Sequence, residues 1–363
     1  MTFLVLSFLV SLAVTLLVVR SGAQHAHRSA DHDLAGPQKF HSVAVPRIGG
    51  VGIFVSMVGG AAMAQFTGRE EAQMLWLLLL CSLPAFVSGL AEDLTKAVSP
   101  RRRLFFTAVS AGLAAWLLDA VLRHTHIPGV DSLIVFAPFA LALTVLVVTG
   151  VANAVNIIDG FNGLASMCVL MMLLAIAYVS FQVGDTLVFT AALIGTGAVL
   201  GFFVWNFPAG LIFLGDGGAY LLGFFLAELS VLLLIRNPGV SPIFALLLCA
   251  YPIFETIFTM YRRKFVRGVA TGAPDGIHLH TLIHRRLVRW TEGQTAERRQ
   301  TQRNSLTSPY LWLLCLLSVI PAVLWWNNTF VLTVFLFVFM VSYVLLYASI
   351  VRFKTPKWLV FRR

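Results

Sequence analysis

Residues 153–164 read Asn-Ala-Val-Asn-Ile-Ile-Asp-Gly-Phe-Asn-Gly-Leu, a short polar stretch between two long apolar runs. In so apolar a chain, backbone that leaves a helix must line water or be enclosed by protein. The glycines allow a tight turn or the close approach of a ligand, and the Asn and Asp oxygens suit a hard cation. A connecting loop of turn-forming residues is the simpler reading. However, a plain connector needs only a few residues, so the rest of the chain decides between the two.

The composition indicates a membrane protein. Of the 363 residues, 58% are hydrophobic and 12% are charged, whereas a soluble domain carries about 25% charged residues. The mean hydropathy is +0.86. We therefore expect an all-α polytopic membrane protein. The net charge of +10 then indicates orientation and contact with membrane lipids, with no nucleic acid as partner. The four cysteines lie in apolar runs and are expected to be buried thiols.

Eleven apolar runs are long enough to cross a bilayer. Their approximate limits are residues 2–19, 48–66, 73–91, 104–122, 132–149, 163–181, 186–205, 217–235, 241–260, 309–326 and 330–351. If the first loop is cytoplasmic, all but three of the 26 Lys and Arg residues (Arg69, Arg123 and Arg236) lie on the cytoplasmic side. This bias predicts a periplasmic N-terminus and a cytoplasmic C-terminus. The whole chain, 1–363, is expected to form one integral membrane domain, with a large basic cytoplasmic loop at 261–308.

Carboxylates are scarce, so their positions are informative. Glu92 and Asp93 end the third run, Asp159 lies in the central stretch, and Asp216 lies in the sequence Phe-Leu-Gly-Asp-Gly-Gly at 213–218. The order of the runs places all four at the cytoplasmic mouth of the bundle. The loops of Asp159 and Asp216 contain no Lys or Arg, so we expect the cluster to lack local counter-ions and to need a cation. Mg²⁺ suits such oxygens. The alternative is that each acid merely marks a membrane–water boundary.

Three further acids lie within or near the apolar runs, and one of them, Asp119, is expected to be exposed to water near the periplasmic end of the fourth run. Glu228 is placed mid-membrane, where a carboxylate would suit a secondary transporter. Transporters usually show repeats and midplane sites, whereas the polar groups of this chain gather at one face. Glu255 approaches the cytoplasmic end of its run, where Arg262 and Arg263 are expected to pair with it.

Two segments carry donors for phosphate. Residues 39–50 place Lys39, His41 and Arg47 directly before the second run, where they could bind an anion or form an ordinary positively charged flank. Residues 278–280 read His-Leu-His, and His278 and His280 could donate to a pyrophosphate. A zinc site is the rival reading, but no Cys or Glu-x-x-His arrangement supports it.

In order, these motifs are Lys-x-His, Pro-Arg-x-Gly-Gly, an acidic pair after a span, Asn-x-x-Asn-x-x-Asp-Gly-x-Asn-Gly-Leu, Phe-Leu-Gly-Asp-Gly-Gly and His-Leu-His. Together they resemble the polyprenyl-phosphate N-acetylhexosamine-1-phosphate transferases, the WecA/MraY-like membrane enzymes. The resemblance runs from about residue 39 to residue 286. The number of runs and the short His motif resemble the WecA-like branch more than the MraY branch.

The resemblance implies a Mg²⁺-dependent transfer, with Mn²⁺ as an alternative ion. A sugar 1-phosphate would pass from a UDP-N-acetylhexosamine to undecaprenyl phosphate, with release of UMP, at the bacterial inner membrane. We expect direct attack by the lipid phosphate, with Glu92 or Asp93 helping to deprotonate or orient it, and a covalent aspartyl-phosphate route is the competing mechanism. An MraY-type phospho-MurNAc-pentapeptide transferase, an inactive scaffold, a homodimer and the identity of the sugar also stay open.

Site residues follow from the resemblance by motif position. Glu92, Asp93 and Asp159 match catalytic carboxylates, and Asp216 matches the principal metal ligand. The substrate-binding positions are Lys39, His41, Arg47, Asn153, Asn156, Asn162, His278 and His280. Glu92 and Asn162 stand where the family commonly has Asp, which leaves open whether Glu92 acts as a base or as a metal ligand.

Overall fold

The structure is a computed structural model that describes residues 1–21, 45–266, 268, 276–289, 296–353 and 361–362. Lys39 and His41 lie outside these residues. The described part is helical apart from one short parallel pairing, in which β1 (Val288–Arg289) lies beside β2 (Phe361–Arg362) with Val288 opposite Phe361. The helices are α1 (Thr2–Arg20), α2 (Gly49–Phe66), α3 (Ala72–Thr95), α4 (Pro100–Leu117), α5 (Val130–Ile134), α6 (Ala137–Ile158), α7 (Leu164–Val183), α8 (Thr186–Asn206), α9 (Gly215–Arg236), α10 (Pro242–Leu248), α11 (Ala250–Tyr261), α12 (Leu279–Arg286), α13 (Ala296–Leu324) and α14 (Thr329–Val351). A π-helical turn, Arg262–Val266, extends α11.

The multi-pass, all-helical prediction agrees with this architecture. Within the described residues, nine helices are long and apolar enough to cross a membrane, and the bent pair α10–α11 makes up to ten. The predicted run 104–122 corresponds to α4, which opens with three arginines and ends at Leu117. Eleven spans and the orientation of the chain therefore stay predictions.

The sequence predicted one apolar span at 241–260, but the structure does not form a single straight helix there. The run is divided into α10 and α11, with a bend of 70° between them. Pro252 lies in the first turn of α11 and has no N–H for the carbonyl of Leu248, four residues earlier. The missing hydrogen bond explains why the helix breaks at this point.

Helix α9 forms the centre of the bundle. It is buried along nearly its whole length, whereas α1 and α14 are largely exposed at the periphery, as expected of helices that face lipid. Around α9 pack α2, α3, α6 and α7. Glycines allow this close approach: a Cβ on Gly50 would lie 2.5 Å from the Cα of Gly218, and a Cβ on Gly89 would lie 2.6 Å from the amide nitrogen of Gly217. These contacts bring the ends of α2 and α3 onto the start of α9.

The segment 261–308 contains more regular structure than the predicted basic loop suggests. It includes the π-helical turn, α12, β1 and the beginning of α13. Helix α13 starts at Ala296 and continues without interruption into its apolar part. Its polar residues Asn304, Ser305 and Ser308 are buried, so this part of α13 packs within the protein.

Candidate active site

A cavity of about 440 Å³ opens at the end of the bundle where α3 and α6 finish and α9 begins. The two arginines and the two histidines on its wall could offset negative charge on a ligand. Residues that lie far apart in the sequence meet on its wall. Among them are Arg47, Glu92, Arg103, Asn156, Asp159, Asn162, Asp216, His278, His280 and Asn304. The expected convergence of Asp159 and Asp216 on one site is therefore present.

Asp216 has counter-ions, contrary to the expectation from its own loop. Arg103 donates to Asp216 Oδ2, and Arg47 Nη2 lies 3.8 Å from Asp216 Oδ1. Asn156 Nδ2 donates to the same Oδ1 at 2.9 Å. The prediction failed because it considered only the loops of the acids, whereas the arginines come from the segments before α2 and at the start of α4. Arg103 was not among the predicted site residues.

The carboxylate of Asp93 accepts hydrogen bonds from backbone amides. It is almost fully buried, and its two oxygens accept from the amides of Asp216 at 2.9 Å and Gly217 at 2.8 Å. A carboxylate at a helix N-terminus satisfies amides that lack an intrahelical partner and interacts favourably with the helix dipole. Gly215, with φ of +75°, lets the chain turn into α9 at this point. Asp93 thus ties α3 to α9 and fixes the backbone that carries Asp216; a catalytic role for it stays a prediction.

Glu92, its neighbour, lines the cavity. Glu92 Oε2 accepts from the amide of Val98 at 2.7 Å, which closes the turn after α3. The other oxygen, Oε1, has no hydrogen bond among the described residues. Of the acidic pair, Glu92 is therefore the member whose carboxylate is available to a ligand.

Helix α6 ends at the cavity and delivers the central polar stretch. Asn156 and Asp159 lie on the cavity wall, whereas Asn153 lies outside it and accepts from the Tyr220 hydroxyl at 3.3 Å. Burial raises the pKa of the Asp159 carboxyl to about 7, although the Arg47 guanidinium opposes the shift. The carboxyl of Asp159 is therefore able to gain or lose a proton near neutral pH.

The loop after Asp159 is held by α13. The Asn162 amide donates to Asn304 Oδ1 at 2.8 Å, and the Ser308 hydroxyl donates to the Asn162 carbonyl at 2.6 Å. Trp312 Nε1 donates to the carbonyl of Gly163, whose φ of +74° favours glycine. The side chain of Asn162 is buried and donates to Ser305, so the contacts of Asn162 stabilise the loop. Binding of substrate by Asn162 stays a prediction.

Helix α12 places the two predicted histidines on the same wall. The rings of His278 and His280 stack with their centres 5.1 Å apart. A Cβ on Gly160 would lie 3.0 Å from His280 Nε2, so glycine at this position lets the His280 ring approach the central loop. One turn later, His284 contacts Phe161, and burial, reinforced by Arg303, lowers the pKa of His284 to about 4.

Glu255 has partners other than the predicted Arg262 and Arg263. It is fully buried, and its oxygens lie within hydrogen-bond distance of His278 Nδ1, the amide of Leu279 and the hydroxyl of Tyr343. The prediction used neighbours on the same helix, but α11 turns this face toward α12 and α14. Arg262 instead lies over the ring of Tyr347.

A metal ion at this site would take some of its ligands from the protein and the others from water and a substrate. Within the described ranges, no three His, Cys, Asp or Glu side chains are arranged to hold a metal by themselves. Mg²⁺ commonly takes one or two protein oxygens and completes its shell with water and substrate phosphates. Asp216, with the Asn156 amide beside it, fits that pattern.

Glu228 stands apart from this site. It is buried in the middle of α9, and its oxygens have no hydrogen-bond partner among the described residues. The polar residues that converge do so at the end of the bundle instead. In the part of the chain that the structure describes, the transporter alternative therefore has no polar site around Glu228.

Comparisons with known proteins show the family to which the chain belongs. The chain matches the model of glycosyl transferase family 4 over residues 75–234, from α3 to α9. The undecaprenyl-phosphate alpha-N-acetylglucosaminyl 1-phosphate transferase of Thermotoga maritima is 30% identical over 259 residues, which cover 71% of this chain and 74% of that protein. A probable undecaprenyl-phosphate N-acetylglucosaminyl 1-phosphate transferase of Bacillus subtilis is 28% identical over 280 residues, 76% of each chain.

A pentapeptide transferase also matches. A phospho-N-acetylmuramoyl-pentapeptide-transferase of Streptococcus thermophilus is 26% identical over 233 residues, 60% of this chain and 66% of that protein. The chain belongs to glycosyl transferase family 4, and the predicted resemblance is confirmed.

Proposed function

We propose that the protein transfers N-acetylglucosamine 1-phosphate, or the 1-phosphate of a related N-acetylhexosamine, from its UDP-sugar to undecaprenyl phosphate. UMP is the second product. The observation that carries the proposal is the cavity itself, where Asp159, Asp216 and Glu92 face Arg47, Arg103 and two histidines. The names of the relatives from Thermotoga and Bacillus support this choice of lipid and sugar over the pentapeptide transferase reaction.

The charges of the cavity suit a reaction between two anions. Lipid phosphate and sugar diphosphate repel each other, and positive donors placed where charge accumulates lower that barrier. Arg47, Arg103, His278 and His280 are those donors. Asp216 and Asn156 would hold Mg²⁺, or Mn²⁺ in its place, which when bound neutralises phosphate charge and favours UMP as the leaving group.

Direct attack by the lipid phosphate is the route that the geometry favours. Both oxygens of Asp93 are occupied by the amides of α9, so Glu92 is the carboxylate placed to orient the attacking phosphate. Burial raises the pKa of Asp159 to about 7, and its carboxyl lies on the same wall, where it could exchange a proton with a substrate. Holding the reactants in one orientation is the main contribution required of a protein in phosphoryl transfer.

The site lies at the cytoplasmic face of the bacterial inner membrane in this proposal. The distribution of Lys and Arg supports a cytoplasmic position for the loops that build the cavity. The lipid phosphate then reaches the cavity from the inner leaflet, while the UDP-sugar enters from the cytoplasm.

Replacement of Asp216 tests the proposal. We expect Asp216→Asn to reduce UMP release by at least about 100-fold and to weaken its dependence on Mg²⁺, because the neutral amide is a poorer ligand. UMP release from a panel of UDP-sugars would be measured with purified full-length protein and undecaprenyl phosphate. Asp119→Asn, which changes an exposed carboxylate at the other end of the bundle, is the matched control. Near-normal turnover in Asp216→Asn, or no UMP release by the wild type with any UDP-sugar, contradicts the proposal.

A further inference from the structure

Glu255 is a buried acid that the reaction described above does not use. It lies on α11 behind the cavity wall, and its three hydrogen-bond donors come from two other helices. Oε1 lies 3.0 Å from His278 Nδ1 and accepts from the Leu279 amide at 3.2 Å. Oε2 accepts from the Tyr343 hydroxyl at 2.5 Å. A buried carboxylate is costly unless it is fully hydrogen-bonded or paired with a positive charge, so its contact with an ionisable ring on the cavity wall requires an explanation.

The contact decides which nitrogen of His278 carries hydrogen. A carboxylate can only accept, so the hydrogen must lie on Nδ1, and the Thr259 oxygen 3.2 Å from the same nitrogen acts as a second acceptor. Nε2 is the nitrogen that remains for the cavity. The ring has little freedom to turn, because His280 stacks on one face of it.

The charges around the ring favour an anion at Nε2. Glu255 faces Nδ1, His280 stacks on the ring, and Tyr343 on α14 donates to the other oxygen of Glu255. Arg262 lies over the ring of Tyr347. An imidazolium placed between the Glu255 carboxylate and a bound diphosphate would contact a negative group through each nitrogen, an arrangement that charge-assisted hydrogen bonds stabilise.

We propose that Glu255 is a positioning residue, which holds His278 through Nδ1 so that Nε2–H is presented to the diphosphate of the nucleotide sugar. This inference rests on the proposed function, because it takes the UDP-sugar as the ligand. Glu255 itself does not touch the ligand, and its effect passes through His278.

A double-mutant cycle tests the proposal, with the affinity for UDP-GlcNAc measured by calorimetry on full-length protein in detergent with Mg²⁺. His278→Asn keeps a donor at the position of Nδ1 and removes Nε2, whereas Glu255→Gln keeps the size of the side chain and removes its charge. We expect each single variant to bind UDP-GlcNAc about tenfold more weakly. The double variant should bind no more weakly than His278→Asn, because the two residues act as one unit.

Tyr343→Phe is the matched control, since it removes a hydrogen bond to Glu255 and leaves the contact with His278. Its affinity should stay within about twofold of the wild type. Losses that multiply in the double variant, or an equal loss in Tyr343→Phe, would overturn the proposal. If Glu255→Gln does not fold, wild-type affinity in a folded His278→Asn variant would overturn it too. Failure of the proposed function would appear separately, as UDP-GlcNAc binding without UMP release by the wild type.

Discussion

Arg103 lies where its positive charge can offset the Asp216 carboxylate and the phosphate groups of a substrate. It donates to Asp216, its guanidinium lies 5.7 Å from the centre of the Tyr220 ring, and it borders the cavity. A bound cation at Asp216 would compete with this ion pair and release the guanidinium toward phosphate oxygens, which its planar donors match. We expect Arg103→Gln to reduce UMP release by about 100-fold, measured with undecaprenyl phosphate and a saturating UDP-sugar.

The adjacent Arg102 provides the control for that substitution. It lies in the same first turn of α4, carries the same charge and is exposed, so Arg102→Gln should keep turnover within about twofold, as exposed substitutions away from a site usually do. Equal losses in the two variants would mean that the net charge of the α4 terminus matters, and would remove Arg103 from the site.

Individual site residues were predictable where a motif singled them out. Asp159, Asp216 and Arg47 stand in short polar motifs beside glycines, and the structure places all three at the cavity. Arg103 is the third of three consecutive arginines in a flank that topology alone explains, so nothing in the sequence distinguished it. The cap formed by Asp93 was equally hidden, because its partners, the amides of Asp216 and Gly217, lie more than 120 residues away.

At the scale of elements, α13 holds the central loop in place through hydrogen bonds to the backbone of residues 162 and 163. The polar residues 296–308 resemble a solvated connector when read alone, since their partners lie near residue 162. In the structure, Asn304, Ser308 and Trp312 face the backbone of Asn162 and Gly163 along successive turns of α13. The order of the loop beside Asp159 therefore depends on a helix that contains no residue of the recognised motifs.

Loss of one of these contacts should affect both stability and turnover. Asn304→Ala leaves the buried amide of Asn162 without an acceptor, which costs about 1–3 kcal/mol and loosens the loop that carries Asp159. We expect a lower unfolding temperature, followed by tryptophan fluorescence in detergent, and a several-fold lower rate of UMP release. In Ser318→Ala, on the same helix, the lost hydroxyl donates to the carbonyl of Cys315 three residues earlier and to no other described residue, so both readouts should stay near wild type. If Asn304→Ala loses stability but keeps its turnover, the loop beside Asp159 does not depend on α13 for its catalytic order.

At the scale of the molecule, the apolar runs predicted the multi-pass helical architecture, but not the bend between α10 and α11. That bend follows from a proline whose effect depends on how the surrounding helices pack. The convergence of polar loops was predictable because helices that cross a bilayer alternate in direction, so acids after alternate spans meet at one face. The counter-ions of those acids were not predictable, because the order of residues along the chain does not show which side chains meet across the bundle.

The same alternation makes the orientation of the molecule testable. Ala97, between α3 and α4, is exposed at the end that carries the cavity, and Gly239, between α9 and α10, is exposed at the opposite end. The native cysteines are buried, so introduced thiols should dominate labelling. The sequence assigns nearly all Lys and Arg residues to alternate loops, among them the loops of the acidic motifs, so we expect that side to be cytoplasmic and a membrane-impermeant maleimide to label Gly239→Cys in intact spheroplasts. Ala97→Cys should be labelled only after the membrane is permeabilised. The reverse pattern would place the cavity outside the cell membrane, away from cytoplasmic UDP-sugars, and would contradict the proposed reaction together with the orientation.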